Sequence, residues 1–73
     1  MNESTYKIHF WHGFNLNLKK RLMLIGCIEE NGDIFYRGTL DDFKKLYNSN
    51  FMLYKADAVW YIGVTHHSNF SSR

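Results

Sequence analysis

The side chains able to do covalent or metal chemistry are few in this chain. One cysteine, Cys27, and four histidines, His9, His12, His66 and His67, supply every thiol and imidazole. A cysteine beside a histidine is the smallest nucleophile–base pair. Cys27, however, stands in the apolar run Leu22-Met23-Leu24-Ile25-Gly26-Cys27-Ile28, where a thiol serves as a small hydrophobe. His9 and His12 are three residues apart, a spacing that points to opposite faces of a strand, so they do not converge on a metal. His66 and His67 fall in the polar ending of the chain. No serine or aspartate stands in a nucleophile elbow, and no glycine-rich loop is built to cradle phosphate. The sequence therefore predicts a protein that binds and does not catalyse, with no catalytic residue, metal or cofactor.

Charge and aromatic residues offer the alternative chemistry, recognition. The basic stretch Lys19, Lys20, Arg21, with Lys7, Arg37 and Lys55, interleaves with Trp11, Tyr36, Tyr54 and Tyr61. Cations for phosphates and rings for bases are what a small single-strand nucleic-acid binder needs, although no RNP-type motif is present. The same inventory suits a protein–protein interface, in which Trp, Tyr and Arg form the hot spots. On that reading Trp11, Trp60 and Tyr61 are the apolar anchors. Lys19, Lys20, Arg21 and the acids Glu29, Glu30 and Asp33 are the charged contacts that set on-rate and partner choice. Trp11 and Trp60 are each equally well read as core residues.

Composition bounds these readings. The 73 residues make one domain, 45% hydrophobic and 18% aromatic, and rings bury much area per residue, which offsets a small core. A net charge of +2 is too small to argue for nucleic acid. It also opposes DNA mimicry, which needs a dense negative surface. A single cysteine excludes an internal disulfide and points to a reducing compartment, the cytoplasm. The opening Met1-Asn2-Glu3-Ser4 is unlike a secretory signal, and the apolar run at 22–28 is too short to cross a bilayer. The two Asn-x-Ser triplets at Asn2 and Asn69 then carry no glycan.

The elements that must position these residues follow from local pattern. Residues 6–11 alternate, with Tyr6, Ile8 and Phe10 on one side, which predicts a strand. Residues 12–17 carry turn-formers and predict a loop. Residues 22–28 are apolar on both faces and predict a covered central strand or one at an interface, with Gly26 at a bulge or a close approach. Asn31-Gly32 between apolar runs predicts a two-residue type I′ hairpin, pairing Glu30 with Asp33, Glu29 with Ile34, Ile28 with Phe35 and Cys27 with Tyr36. Like charges then crowd its tip. Thr39 caps a helix over Leu40–Tyr47 with Leu40, Phe43, Leu46 and Tyr47 on one stripe and acids ahead of bases along the dipole. Residues 51–54 turn back into Val59–Val64, with Trp60, Ile62 and Val64 on one face and Val59 and Tyr61 on the other. The expected fold is α+β: an antiparallel sheet of four or five strands with one short helix packed on a face. It spans residues 1–65, followed by a flexible tail, 66–73, and is expected to be a monomer.

The size, lone cysteine and compact α+β layout resemble small bacteriophage proteins that bind and redirect a host machine. One such type is a short Xanthomonas-phage transcription factor that binds host RNA polymerase, blocks promoter engagement and permits readthrough of terminators. That resemblance implies a protein partner, a polymerase subunit, in the host cytoplasm. A second likeness lies in Gly32-Asp33-Ile34-Phe35-Tyr36, Gly38, Leu40-Asp41-Asp42-Phe43 and Leu46-Tyr47, an aromatic strand running into an acidic-Phe then Leu-Tyr helix. It is similar to the short phage inhibitor of uracil-DNA glycosylase and implies inhibition of a DNA-repair enzyme. This chain departs from that family in its basic balance and in Lys44-Lys45 within the matching helix. Polymerase binding therefore ranks ahead of glycosylase inhibition.

Overall fold

A computed structural model describes residues 3–65; the expected tail, with His66 and His67, lies outside the described residues. The chain order is β1 (Ser4–Phe10), α1 (Leu16–Leu24), β2 (Ile28–Glu30), β3 (Asp33–Gly38), α2 (Leu40–Tyr47), β4 (Met52–Ala56) and β5 (Val59–Val64). The strands form one sheet in the order β2-β3-β1-β5-β4. The α+β class holds, with two corrections.

The first is a second helix. Residues 16–24, expected as the end of a loop and the start of a strand, form α1. Seven successive apolar residues do not by themselves distinguish a strand from a helix. Three local signals favour the helix. The Asn15 side chain accepts from Leu18 N at 3.0 Å, capping the first turn. Leu18 and Leu22, four apart, both reach the core. Gly26, at φ +106°, ends the helix: its N–H donates to Met23 O and Cys27 N–H donates to Leu22 O, the paired bonds of a Schellman motif. Gly26 is thus a helix terminator with open space around its Cα, and neither a bulge nor a close approach. Cys27 is buried beside the end of the helix and precedes β2, so the hairpin ladder begins at Ile28↔Phe35 and no Cys27–Tyr36 pair forms.

The second correction is strand direction. β1 pairs β3 antiparallel, yet it pairs β5 parallel, Lys7↔Tyr61 through Phe10↔Val64, so the sheet is mixed. This follows from the extra helix. Each helix makes a crossover between strands that are not neighbours, β1 to β2 and β3 to β4, and the β4–β5 hairpin returns the chain to lie beside β1.

The β2–β3 turn and register and the bounds of α2 match expectation, whereas β4 runs two residues beyond the expected 51–54, because Lys55 and Ala56 pair with Trp60 and Val59. Asn31 and Gly32 sit at φ 54° and 84° in the β2–β3 turn, and the register is Ile28↔Phe35, Glu29↔Ile34 and Glu30↔Asp33. Thr39 Oγ1 accepts from Asp42 N at 3.2 Å, and Asn48, left-handed at φ 53°, ends α2. Asp57 and Ala58, φ 52° and 62°, make the β4–β5 turn.

Both helices pack on the same side of the sheet, because one buried cluster joins Leu18 and Leu22, Phe43 and Tyr47, and the strand residues Tyr6, Ile8, Ile34, Tyr36, Ile62 and Val64. Phe43 lies 5.0 Å from the Tyr36 ring, 5.2 Å from Tyr47 and 5.0 Å from Phe51. Full burial of such a ring is worth about 1.5–3 kcal/mol, and this aromatic stack is the centre of the core. Leu46, assigned to the buried stripe by spacing, is 54% exposed, because α2 meets the sheet along a narrower seam than its sequence allows.

Candidate functional site: the uncovered sheet face

With both helices on one side, the other side of the sheet has no cover among the described residues. Alternation along each strand decides what stands there. β1 presents Thr5, Lys7 and His9 opposite its buried Tyr6 and Ile8, and Trp11 follows just beyond the strand. β3 presents Phe35 and Arg37, β4 Met52 and Tyr54, and β5 Tyr61 and Gly63. The register sets these in rows. Phe35, Lys7, Tyr61 and Tyr54 are successive cross-strand neighbours over four strands, and His9, Gly63 and Met52 form the next row.

The aromatic side chains contact one another. Tyr54 and Tyr61 stack at 5.1 Å with 6° between their planes. Trp11 meets Tyr54 edge-on at 5.8 Å and His9 at 5.4 Å. Gly63 makes this possible, since a Cβ there would come within 3.2 Å of Trp11 Cε3 and 3.6 Å of Tyr54 Cε1. The missing side chain is the seat of the Trp11 ring. Trp11 still exposes 41% of its surface. Burial, reinforced by the neighbouring Tyr61 hydroxyl, holds the Tyr54 phenol above its ordinary value, so Tyr54 is uncharged at neutral pH.

Charge enters this face at Lys7, between Phe35 and Tyr61, and at Arg37 of β3, and both are matched within the chain. Lys7 Nζ lies 3.7 Å from Asp33 Oδ2, and Arg37 Nε lies 3.9 Å from Glu3 Oε1. The face is therefore an aromatic platform clustered over β5, β4 and the end of β1, with its cations, Lys7 and Arg37, already ion-paired. Clustered aromatic and Met residues with neutralised charge suit a protein interface.

The residues singled out from sequence separate into groups. Trp11 and Tyr61 come together on the platform. Trp60 does not join them: it lies on the helix side of β5, beyond the reach of the helices, 41% exposed with the Lys55 ammonium 5.5 Å from its ring centre. Tyr36, a candidate base-stacker, is buried under α2 and donates to Thr39 O at 3.0 Å. The basic stretch is helical and its members diverge. Lys19 pairs with Glu29 at 3.0 Å. Arg21 turns to the end of α2, where one of its nitrogens donates to Tyr47 O at 2.6 Å and to Ser49 Oγ at 2.5 Å while the guanidinium lies over the Tyr47 ring. Lys20 is exposed. At the hairpin tip Glu29 and Asp33 are each in an ion pair, and among the described residues Glu30 has none.

His9, Tyr54, Met52 and Gly63 complete the platform. The signal for them was the period-two alternation itself, which placed Lys7, His9 and Trp11 opposite the core side of β1. Burial pushes the Cys27 thiol up to about 11, so it is held in the protonated form, whereas a thiolate is the reactive one. Among the described residues no group of three or more His, Cys, Asp or Glu side chains is placed to hold a metal. No helix among them is long and apolar enough to cross a membrane. A smaller apolar patch lies on the outer side of α1, where Leu16 and Leu24 are exposed beside Lys19 and Lys20.

The chain matches no protein-family model, and neither a curated protein nor a solved structure shows significant similarity to it.

Proposed function

We propose that the protein is a regulatory binding module that seats its uncovered sheet face on bacterial RNA polymerase, inhibiting initiation and/or permitting readthrough of terminators. The observation that carries the mode of action is Trp11 lodged over Gly63 beside Tyr54, His9 and Tyr61 on a face that neither α1 nor α2 covers. The mechanism is steric: the platform occupies a surface that an initiation factor or a terminator signal needs, and no bond is made or broken. The choice of partner rests on the likeness in size and character to phage host-takeover proteins. That setting places the protein, as a monomer, in the host cytoplasm.

A single-stranded nucleic acid is the second reading, favoured by the cross-strand row Phe35, Lys7, Tyr61, Tyr54, because exposed rings on a sheet stack bases. Charge ranks it second. Phosphate binding draws on free cations, and both strong cations of the face already have carboxylates beside them. Inhibition of a DNA-repair enzyme such as uracil-DNA glycosylase ranks third, since ion pairs to Lys19 and Lys7 neutralise two of the three acids at the hairpin tip.

Purified polymerase core and holoenzyme, titrated with labelled protein and assayed by promoter run-off and terminator readthrough, test the proposal. Trp11→Ala and Tyr61→Ala are each expected to weaken binding by about thirtyfold, the scale of an interface hot spot of ~2 kcal/mol, while Leu24→Ser on α1 leaves it unchanged. Absence of polymerase binding refutes the partner. Loss through Leu24→Ser with Trp11→Ala unaffected refutes the face. Retention on oligo-dT that disappears as salt is raised supports nucleic acid instead.

A further inference from the structure

We infer that the free edge of β4 is a second docking site, taking an extended peptide segment with an acidic side chain by strand addition. It goes beyond the platform and does not depend on it. β4 and β2 are the two outer strands of the sheet. β2 is three residues long and two of them, Glu29 and Glu30, are acids, the usual protection of an edge against added strands. β4 is five residues, Met52-Leu53-Tyr54-Lys55-Ala56, with no proline, and among the described residues no strand neighbours its outward backbone groups. It is the edge that can accept one.

Beside this edge lies a groove of about 620 Å3 lined by Leu40 and Lys44 of α2, the connection 48–51 and Leu53 of β4. Leu53 points to the helix side of the sheet but is 39% exposed, because α2 stops short of the edge. A strand added about 4.8 Å outside β4 would alternate in the same way, and its helix-side residues would enter this groove. Main-chain bonds to an edge, with alternate side chains in pockets, are a recurrent mode of peptide recognition. Charge specifies the occupant. Lys44 is the charged residue among those lining the groove, and among the described residues no carboxylate lies within ion-pair distance of it. Lys55 stands on β4 itself, on the same side of the sheet as Leu53. A second copy adding its own β4 would bring two such lysine sets together, so an acidic segment fits and a homodimer does not.

The test uses the full chain and a fluorescein-labelled peptide, Thr-Val-Thr-Glu-Thr-Val-Thr, whose valines and glutamate share one face when extended, with lysine replacing glutamate as the control. The expected result is binding of the glutamate peptide about tenfold tighter than the lysine peptide at low salt, the scale of one exposed charge reversal. Amide shifts in an NMR titration should centre on residues 52–56 and Lys44. Lys44→Glu, at an exposed position, should reverse the preference. Equal affinity for the two peptides, shifts centred on Trp11 and Tyr61, or self-association of the peptide-free protein in sedimentation would each overturn the inference.

Discussion

Replacing Gly63 by alanine separates the role of the platform from the stability of the fold. The new Cβ would lie 3.2 Å from Trp11 Cε3, with Met52 O and Tyr54 Cε1 each at 3.6 Å. Gly63 has an ordinary negative-φ strand backbone, so no conformational penalty attends the change and the contact with Trp11 must yield. The indole is 41% exposed and can tilt outward. Lifting a further ~60 Å2 of ring into water costs about 1.5 kcal/mol at ~25 cal/mol per Å2. Alanine in place of glycine inside a regular element returns about 0.5–1 kcal/mol by restricting the unfolded chain. The net loss is about 0.5–1 kcal/mol, a fall in Tm of roughly 2–8 °C for a domain of this size. In a Trp60→Phe background, where Trp11 is the sole tryptophan, its fluorescence should shift to the red, and, on the proposed function, polymerase affinity should fall by much more than the loss of stability. Unchanged emission together with unchanged affinity would refute the reasoning, because the ring would then not depend on the glycine for its place.

Three further outcomes follow from the same geometry. Arg21→Ala should lower stability by about 1–2 kcal/mol, read as a lower urea midpoint at constant slope, since it removes a charged donor from Tyr47 O and Ser49 Oγ and the cation over the Tyr47 ring; Arg21→Lys should recover little, having no planar fork. Ala58→Gly should stabilise the protein by about 0.5–1 kcal/mol in the same assay, because alanine at φ 62° bears a left-handed penalty that glycine lacks. Stability should also fall in alkali. The folded Cys27 thiol is held at about 11 against an ordinary 9.0, so the unfolded chain loses that proton first. The stabilisation is complete below pH 9 and is lost as pH rises towards 11; urea midpoints should drop more steeply over that window in the native protein than in Cys27→Ala, and equal slopes would contradict the assignment.

Local chemistry made much of this molecule legible. Asn31-Gly32 dictated a tight turn and with it the β2–β3 register. Thr39 and the acids after it dictated where α2 begins, and alternation in β1 divided Tyr6 and Ile8 from Lys7, His9 and Trp11. Each of these depends on the φ of a few residues, a cap or a period, so a short window contains the whole cause. Residues 16–28 lay beyond that reach. A run of apolar side chains satisfies a strand and a helix equally, and the Schellman bonds at Gly26 that settle the matter are easily missed when the glycine is read as a strand bulge. The platform was half visible: its rings could be named, yet which side of the sheet would be left open depended on both helices packing on one face. Trp60 and Ile62 share a side of β5 by sequence, but whether that side is core or solvent depends on how far α1 and α2 extend over it. The sequence alone determined turns, caps and faces, because those are short-range properties of the backbone. Only the tertiary structure decided which face meets water, because cover is supplied by elements distant in the chain.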